Sequence, residues 1–204
     1  MPVAVEVYAD VVCPFSWVLL GQLLDTRSAL GATDVPVLVR SWPFELAEGA
    51  LPASDLLQEE VAALQASIAP DRFGGFDPGR LPDTTVPAMA LTSAAYGKSS
   101  DSGEAVAVRL RELLFEEGGD VADPTVLGAL EAATGLHVTP DPGLVAAEYE
   151  LALHRGVAGA PHVIAGEISE HCPTFAATRD PSGRLVVTPT PWADDVLRAC
   201  FGAR

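Results

Sequence analysis

The chain has 204 residues, of which 49% are hydrophobic, enough to bury a core in one domain or in one domain with a large insertion. Its formal net charge is −16, and Lys98 is its only lysine. Because binding to nucleic acids or anionic membranes needs clustered basic residues, this composition predicts neither kind of partner.

The N-terminal residues enter a strand pattern directly, with apolar and polar side chains alternating over residues 3–8. The N-terminal residues contain no basic segment followed by a long apolar stretch, so they do not resemble a signal peptide. No apolar run approaches the ~20 residues of a membrane helix. We therefore expect a cytoplasmic protein in a reducing compartment. Its odd number of cysteines does not indicate a disulfide framework: Cys13, Cys172 and Cys200.

The first strand is followed by a helix and a second strand. The spacing of apolar residues predicts a helix from about residue 13 to residue 30, ended by Gly31, and a strand over residues 35–42. The chain therefore begins with a β-α-β unit.

The middle of the chain is predicted to be helical. Helices are expected over residues 54–67, with Ser54 as the cap, over 86–96, and from residue 104 onward. Residues 71–83 form a Gly- and Pro-rich loop, and residues 98–103 a polar connection. Two further helices begin at Asp123-Pro124 and Asp141-Pro142, where an N-cap acceptor precedes a proline.

After Gly156 the pattern returns to strands, over residues 161–165, 174–178 and 184–188, with the last two joined by a turn at 180–183. A final helix begins at Thr190-Pro191. Helices and strands are thus segregated along the chain, unlike in a simple doubly wound fold. We predict an α/β protein with a βαβ half (residues 1–53), an all-helical insertion (54–156) and a ββα half (157–204).

Cys13 lies where the first strand passes into the first helix. The free backbone N–H groups and the dipole of a helix N-terminus favour negative charge, so the pKa of a cysteine there is expected below the usual value of about 8.5. Pro14 follows at the first helical position, where its missing N–H costs nothing. The sequence therefore predicts that Cys13 is a reactive thiolate.

Ser16 stands where a dithiol enzyme has its second cysteine. Its hydroxyl can donate a hydrogen bond to a thiolate but cannot resolve a mixed disulfide, which must wait for another thiol. An outside thiol is one source. Resolution by Cys172 or Cys200 depends on distances that the sequence does not give.

The segment Asp-Val-Val-Cys-Pro-Phe-Ser-Trp at residues 10–17 resembles the active-site segment of the DsbA-like thioredoxin-fold superfamily. That group includes the kappa-class glutathione transferases and the 2-hydroxychromene-2-carboxylate isomerases. Residues 42–46, 113–130 and 156–162 are similar to further segments of the group, in the same order along the chain. The resemblance implies a thioredoxin-like fold with a helical insertion.

The same resemblance implies the site residues. Pro161 corresponds to the cis-proline of the family, and the backbone of Ala160 would pair with an extended thiol substrate. His162 could act as a proton partner of Cys13 or lie on the back of its strand. The residues predicted for catalysis are Cys13 and Ser16, and those predicted for thiol binding are Pro14, Phe15, Trp17, Ala160, Pro161 and His162.

Two positions depart from the family pattern. Disulfide oxidases of the group typically have a second cysteine where this chain has Ser16, whereas the kappa-class transferases and chromene isomerases typically have serine where it has Cys13. The leading hypothesis is a thiol–disulfide oxidoreductase acting through one cysteine. The alternatives are a transferase or isomerase that uses glutathione or another small thiol, and a binding module without turnover.

The hypothesis includes no bound cofactor and no metal, since the spacing of Cys13, His171 and Cys172 matches no zinc site. A low-molecular-weight thiol, glutathione-like or equivalent, would be the co-substrate, and the partner would be a small thiol or a disulfide-containing substrate. The kappa-class resemblance also implies a homodimer.

Overall fold

The computed structural model describes residues 3–203. Met1 and Pro2 of the predicted segment 1–53 and Arg204 of the predicted segment 157–204 lie outside the described residues. The elements follow in chain order as β1 (Val5–Ala9), α1 (Pro14–Ala29), β2 (Val37–Ser41), α2 (Phe44–Ala47), α3 (Ser54–Gln65), α4 (Val86–Tyr96), α5 (Ser100–Phe115), α6 (Pro124–Thr134), α7 (Pro142–His154), β3 (His162–Ala165), β4 (Ile168–His171), β5 (Phe175–Arg179), β6 (Leu185–Pro189) and α8 (Ala193–Cys200). A short 3-10 turn, Pro78–Arg80, interrupts the loop between α3 and α4.

The main sheet has the strand order β2-β1-β3-β4. β1 and β2 are parallel, as the helical crossover between them requires, whereas β3 is antiparallel to both β1 and β4. The helices α3 to α7 come between β2 and β3 in the chain. The fold is therefore α/β and thioredoxin-like with a helical insertion, as the sequence predicts.

β4 was missed in the sequence analysis. Of its four residues, Ile168 is half-buried and the other three are exposed, so no alternation of apolar and polar residues marks it. It is an edge strand, held by backbone hydrogen bonds to β3 in the register His162 to His171. The predicted hairpin of β5 and β6 is confirmed, but it forms a separate two-stranded sheet.

The prediction of a polar connection over residues 98–103 was wrong. α5 begins at Ser100, and the Ser99 side chain caps it by accepting a hydrogen bond from the Ser102 backbone N–H over 3.0 Å. The polar residues that suggested a loop form the first helical turn. The predicted starts of α6 and α7 are confirmed, with Asp123 and Asp141 as their capping acceptors. Ser54, by contrast, is the first residue of α3, and Ala53 occupies the cap position.

α1 is buried on all sides at its N-terminal end. Residues 14–21 are all buried, because the helix is packed between other elements and does not lie on the surface with one apolar stripe. One hydrophobic cluster includes residues of all three predicted segments, among them Val5, Leu110 and Val163. The boundaries at 53 and 156 stay a prediction.

Over residues 3–203, no helix combines the length and the apolar character that crossing a bilayer requires.

Gly103 offers a test of how closely α4 and α5 pack. A Cβ at Gly103 would lie 2.1 Å from the ring of Tyr96, whose hydroxyl is fixed by hydrogen bonds to the backbone of Val37 and Val39. Although alanine is the better helix former, we expect Gly103→Ala to destabilise the protein by about 1–3 kcal/mol.

Gly128 in α6 is the matched control, since a Cβ there meets no atom within 4 Å. Gly128→Ala is expected to stabilise by about 0.5–1 kcal/mol. The free energy of urea unfolding measures both effects. If both substitutions changed the free energy of unfolding in the same direction, the close packing of Gly103 against Tyr96 would be contradicted.

Candidate active site

Cys13 is the N-cap residue of α1. Its backbone is extended (φ −75°, ψ 110°), its carbonyl accepts a hydrogen bond from the Trp17 N–H over 3.3 Å, and Pro14 is the first helical residue. The Cys13 side chain is therefore placed at the positive end of the helix dipole, as the sequence predicts.

A buried carboxylate, Asp10, shapes the loop that precedes the helix. Its Oδ1 accepts a hydrogen bond from the Val12 N–H over 3.0 Å, and its Oδ2 accepts from the Phe44 N–H over 2.8 Å and from the Thr85 hydroxyl over 3.2 Å. The buried guanidinium of Arg111 donates to the Asp10 carbonyl over 3.2 Å. These contacts join the loop after β1 to α2 and to the helical insertion.

The loop before β3 comes from the far end of the chain and faces Cys13. The peptide bond between Ala160 and Pro161 is cis. The Cys13 thiol donates to the carbonyl oxygen of Ala160 over 3.7 Å, across 147 residues of sequence. The fold thus brings together the two segments that the sequence analysis assigned to the site.

Cys13 and Ala160 line one cavity of about 600 Å³. Its other lining residues are Phe15, Phe44, Glu48, Ala50, Leu51, Pro52, Leu56, Glu60, His171, Cys172, Phe175 and Ala177. The wall is mainly apolar, and among the described lining residues the charged ones are the carboxylates Glu48 and Glu60, with no Lys or Arg.

The expectation of a lowered pKa at Cys13 is wrong for the protein without substrate. The side chain is only 3% exposed, and this burial raises the pKa of the Cys13 thiol to about 12, with a smaller contribution from the negative charge of Glu60. The Ser16 side chain and backbone N–H, as hydrogen-bond donors to a Cys13 thiolate, lower the pKa without offsetting the burial. Cys13 is therefore a protonated thiol at neutral pH.

Ser16 is the polar group beside this thiol. Its hydroxyl is 1% exposed and has no hydrogen-bond partner among residues 3–203. Because an unpaired buried hydroxyl is unfavourable, the Ser16 side chain is stabilised most when the neighbouring sulfur is a thiolate that accepts its hydrogen bond. The arrangement suits a thiolate that forms during a reaction better than one that is present at rest.

The other predicted site residues are divided between the cavity and the core. Phe15 lies in the cavity wall with its ring 5.3 Å from that of Phe175. Trp17 points elsewhere, since its indole N–H donates to Glu116 over 2.8 Å. His162 is buried and bonded through Nε2 to the Ser169 hydroxyl over 3.0 Å, and it is not among the lining residues.

Eleven of the lining residues were not predicted as site residues, among them Glu60, His171 and Cys172. Burial raises the pKa of Glu60 to about 7, with a smaller contribution from Glu59. His171 and Cys172 reach the cavity because β4 pairs with β3. The sequence places Glu60 on a predicted helix and includes Cys172 among the candidate resolving thiols, but no local pattern indicates that these side chains meet at one cavity. No group of three His, Cys, Asp or Glu side chains within residues 3–203 is arranged to bind a metal ion.

The comparisons with known proteins agree with this architecture. The profile of the DSBA-like thioredoxin domain matches residues 4–176. No curated protein sequence matches the chain significantly.

Three solved structures share the fold. The cytosolic disulfide reductase DsbM from Pseudomonas aeruginosa with GSH is 19% identical, with a TM-score of 0.61, over 96% of this chain and 96% of that chain. A protein from Nitrosomonas europaea is 14% identical, with a TM-score of 0.65, over 99% of this chain and 97% of that one. A 2-hydroxychromene-2-carboxylate isomerase is 14% identical, with a TM-score of 0.55, over 82% and 87%.

The raised pKa of Cys13 predicts how fast the thiol is alkylated. Because the thiolate is the nucleophile, the rate of reaction with iodoacetamide should keep rising from about pH 7 to about pH 10. Glu60→Gln removes a negative charge that raises the pKa of Cys13, so we expect alkylation roughly threefold faster at about pH 8.

Glu48→Gln is the control, because Glu48 lines the same cavity but is not among the groups that shift the pKa of Cys13. Its alkylation rate should equal that of the wild type. A wild-type rate that levels off below about pH 7 would show instead that the helix N-terminus outweighs burial.

Proposed function

The chain belongs to the family of DSBA-like thioredoxin domains, and on that basis we propose that it is a thiol–disulfide oxidoreductase whose nucleophile is Cys13. One observation carries the proposal: the Cys13 sulfur lies at a helix N-terminus, 3.7 Å from the carbonyl of Ala160, on the wall of a cavity of about 600 Å³. This geometry gives a disulfide substrate access to a sulfur whose negative charge the helix would stabilise.

In the first step, the Cys13 sulfur attacks one sulfur of a substrate disulfide R–S–S–R′. A Cys13–S–S–R bond forms, the S–S bond of the substrate breaks, and the Cys13 proton passes to the leaving sulfur as R′–SH. The Ser16 hydroxyl and backbone N–H stabilise the negative charge that develops on Cys13. This assigns the catalytic roles to Cys13 and Ser16.

Proton loss from Cys13 also frees the Ala160 carbonyl. At rest this oxygen accepts the thiol hydrogen bond. Once the sulfur carries no proton, the carbonyl can accept an N–H from a peptide or a peptide-like thiol, in the manner of an added strand. Phe15 supplies the apolar wall beside this position. Pro14 and Pro161 act here through the backbone geometry that they give to the two loops.

In the second step, a low-molecular-weight thiol attacks the mixed disulfide, restores the Cys13 thiol and leaves with R as a new disulfide. Ser16 cannot take this role because it has no sulfur. The P. aeruginosa reductase was solved with glutathione, which supports a small thiol as the co-substrate of this chain. No tightly bound cofactor takes part in the scheme.

We propose the cytoplasm as the compartment for this chemistry. Its support is that Cys13, Cys172 and Cys200 are all free thiols in the structure, which suits a reducing environment. The homodimer implied by the kappa-class resemblance stays a prediction, and light scattering in solution tests it.

The size and apolar wall of the cavity favour a second candidate function. A space of about 600 Å³ beside Cys13 suits a small organic electrophile together with a thiol. A thiol-dependent transferase or isomerase would use the same sulfur to orient its co-substrate. This candidate predicts saturable binding of reduced thiol without consumption of disulfide.

Turnover of a small disulfide tests the main proposal. With bis(2-hydroxyethyl) disulfide as substrate and excess dithiothreitol, we expect catalysed reduction that Cys13→Ser lowers at least about a hundredfold, because no nucleophilic sulfur remains at the helix start. Cys200→Ser should keep at least half of the activity, since Cys200 lies in α8 and does not line the cavity.

Two results would contradict the proposal. Saturable binding of reduced thiol with no disulfide turnover would favour the transferase or isomerase. Equal behaviour of Cys13→Ser and the wild type in both assays would favour a binding module.

The charge of the cavity predicts a preference among co-substrates. Because Glu48 and Glu60 are its charged residues, neutral 2-mercaptoethanol and cationic cysteamine should reduce the mixed disulfide faster than anionic glutathione, after correction for their uncatalysed rates. The preference should grow as the pH rises through about 7, because Glu60 then becomes ionised. Stopped-flow measurement of thiol-dependent turnover gives these rates.

Glu60→Gln should raise the rate with glutathione roughly threefold to tenfold more than it raises that with 2-mercaptoethanol. Asp55→Asn is the control, since Asp55 is an exposed residue of the same helix outside the cavity wall. A glutathione rate that Glu60→Gln does not change would exclude this residue as a selector of the co-substrate.

A further inference from the structure

Cys172 shares the cavity with Cys13 and has no role in the scheme above. We propose that Cys172 is a resolving cysteine, which attacks the mixed disulfide on Cys13 and releases the bound thiol as an internal Cys13–Cys172 disulfide forms. The inference rests on the proposed attack by Cys13 and supplies, outside the Cys-Pro-Phe-Ser motif, the sulfur that Ser16 lacks.

A short chain of contacts connects the two sulfur atoms. The Cys13 thiol donates a hydrogen bond to the carbonyl of Ala160. Pro161 is the next residue, and the Pro161 carbonyl accepts a hydrogen bond from the Cys172 N–H over 2.9 Å. The side chains of Cys13 and Cys172 line the same cavity of about 600 Å³. The backbone around Pro161 therefore presents both sulfurs to one substrate.

The end of β4 fixes the position of Cys172. β4 pairs with β3 up to His171 opposite His162, and Cys172 follows with a positive φ of 46°, which turns the chain out of the sheet. The side chain is half-buried, so a bound mixed disulfide can reach it from the cavity. Burial raises the pKa of Cys172 to about 12, with a smaller contribution from Glu60, so this thiol needs a proton acceptor beside it.

His171 provides a proton acceptor for this second thiol. Its Nε2 lies 3.5 Å from the Cys172 sulfur. Partial burial lowers the pKa of His171 below its usual value, and a hydrogen bond with the Pro161 backbone only partly reverses this. The imidazole is therefore neutral at pH 7 and has a lone pair available for the thiol proton.

The step balances as an ordinary exchange. Cys172 loses its proton to His171 and attacks the Cys13 sulfur of Cys13–S–S–R. The S–S bond between the Cys13 sulfur and the sulfur of R breaks. R–S⁻ leaves and takes up the proton from His171 as R–SH. The substrate has then gained two electrons, and the two cysteines have lost them. Two molecules of a small thiol reduce the internal disulfide and are released as one disulfide.

Cys200 is the third cysteine and is not suited to this role. It is buried at the end of α8 and lines a different cavity, together with Val35 and Ala165. Substitution of Cys200 therefore removes a thiol from the protein without changing the pair in the active site, and it serves as the matched control.

Intact-mass spectrometry after brief oxidation tests the proposal. Reduced protein is mixed with bis(2-hydroxyethyl) disulfide, quenched with acid and weighed. We expect the wild type and Cys200→Ser to lose two hydrogen atoms, with a peptide that links Cys13 to Cys172 after digestion. Because such a bond needs the two Cα atoms within about 7 Å, the crosslink also reports their approach.

Cys172→Ser and Cys172→Ala should instead keep a 2-mercaptoethanol adduct on Cys13, which persists until an outside thiol is added. His171→Ala should form the same adduct at the wild-type rate but convert it to the internal disulfide about tenfold more slowly. Far-ultraviolet circular dichroism confirms that each variant is folded.

The outcomes separate this inference from the function on which it rests. A stable adduct on wild-type Cys13, as long-lived as in Cys172→Ala, would overturn the resolving role and leave the oxidoreductase proposal in place. Neither an adduct nor an internal disulfide in any variant would overturn both. A disulfide between Cys13 and Cys200 would show that Cys200 is the resolving cysteine and would also refute the inference.

Discussion

The carboxylate of Asp10 is the interaction on which the site depends. It is buried and accepts hydrogen bonds from the loop after β1, from the start of α2 and from the insertion, through Val12, Phe44 and Thr85. Burial raises the pKa of Asp10 to about 6, while these donors act in the opposite direction. The same residue accepts the Cys13 N–H with its carbonyl oxygen over 3.4 Å. The helical insertion therefore helps to position the Cys13 backbone, through the contacts of Thr85 and Arg111 with Asp10.

Two opposing effects meet at Cys13. The helix N-terminus and Ser16 favour the thiolate, and burial together with Glu60 favours the thiol. Burial prevails in the protein without substrate, which leaves Cys13 protonated and bonded to Ala160. In the proposed reaction, a substrate that enters the cavity replaces this contact, so the reactivity of Cys13 is coupled to occupation of the site. Such coupling protects a nucleophile from unproductive oxidation in the resting protein.

The cavity joins parts of the chain that have little in common in sequence. Cys13 comes from the β-α-β unit, Glu60 from the first helix after it, and Cys172 from the end of an edge strand. The two carboxylates of the wall set the charge that a co-substrate meets. The apolar remainder gives space for its carbon skeleton. In the proposed function, selection among thiols and resolution of the mixed disulfide thus depend on residues outside the motif at residues 13–16.

The sequence alone predicts the α/β class, the β-α-β start, the helical middle and the starts of α6 and α7, because caps such as Asp123 and Asp141 act through hydrogen bonds between near neighbours. It also located Cys13 at a helix start. Three features follow from tertiary contacts alone: the existence of β4, the burial and protonation of Cys13, and the presence of Cys172 in the same cavity. Edge pairing, desolvation and electrostatic shifts arise from residues distant in the chain, and a local pattern carries no information about them.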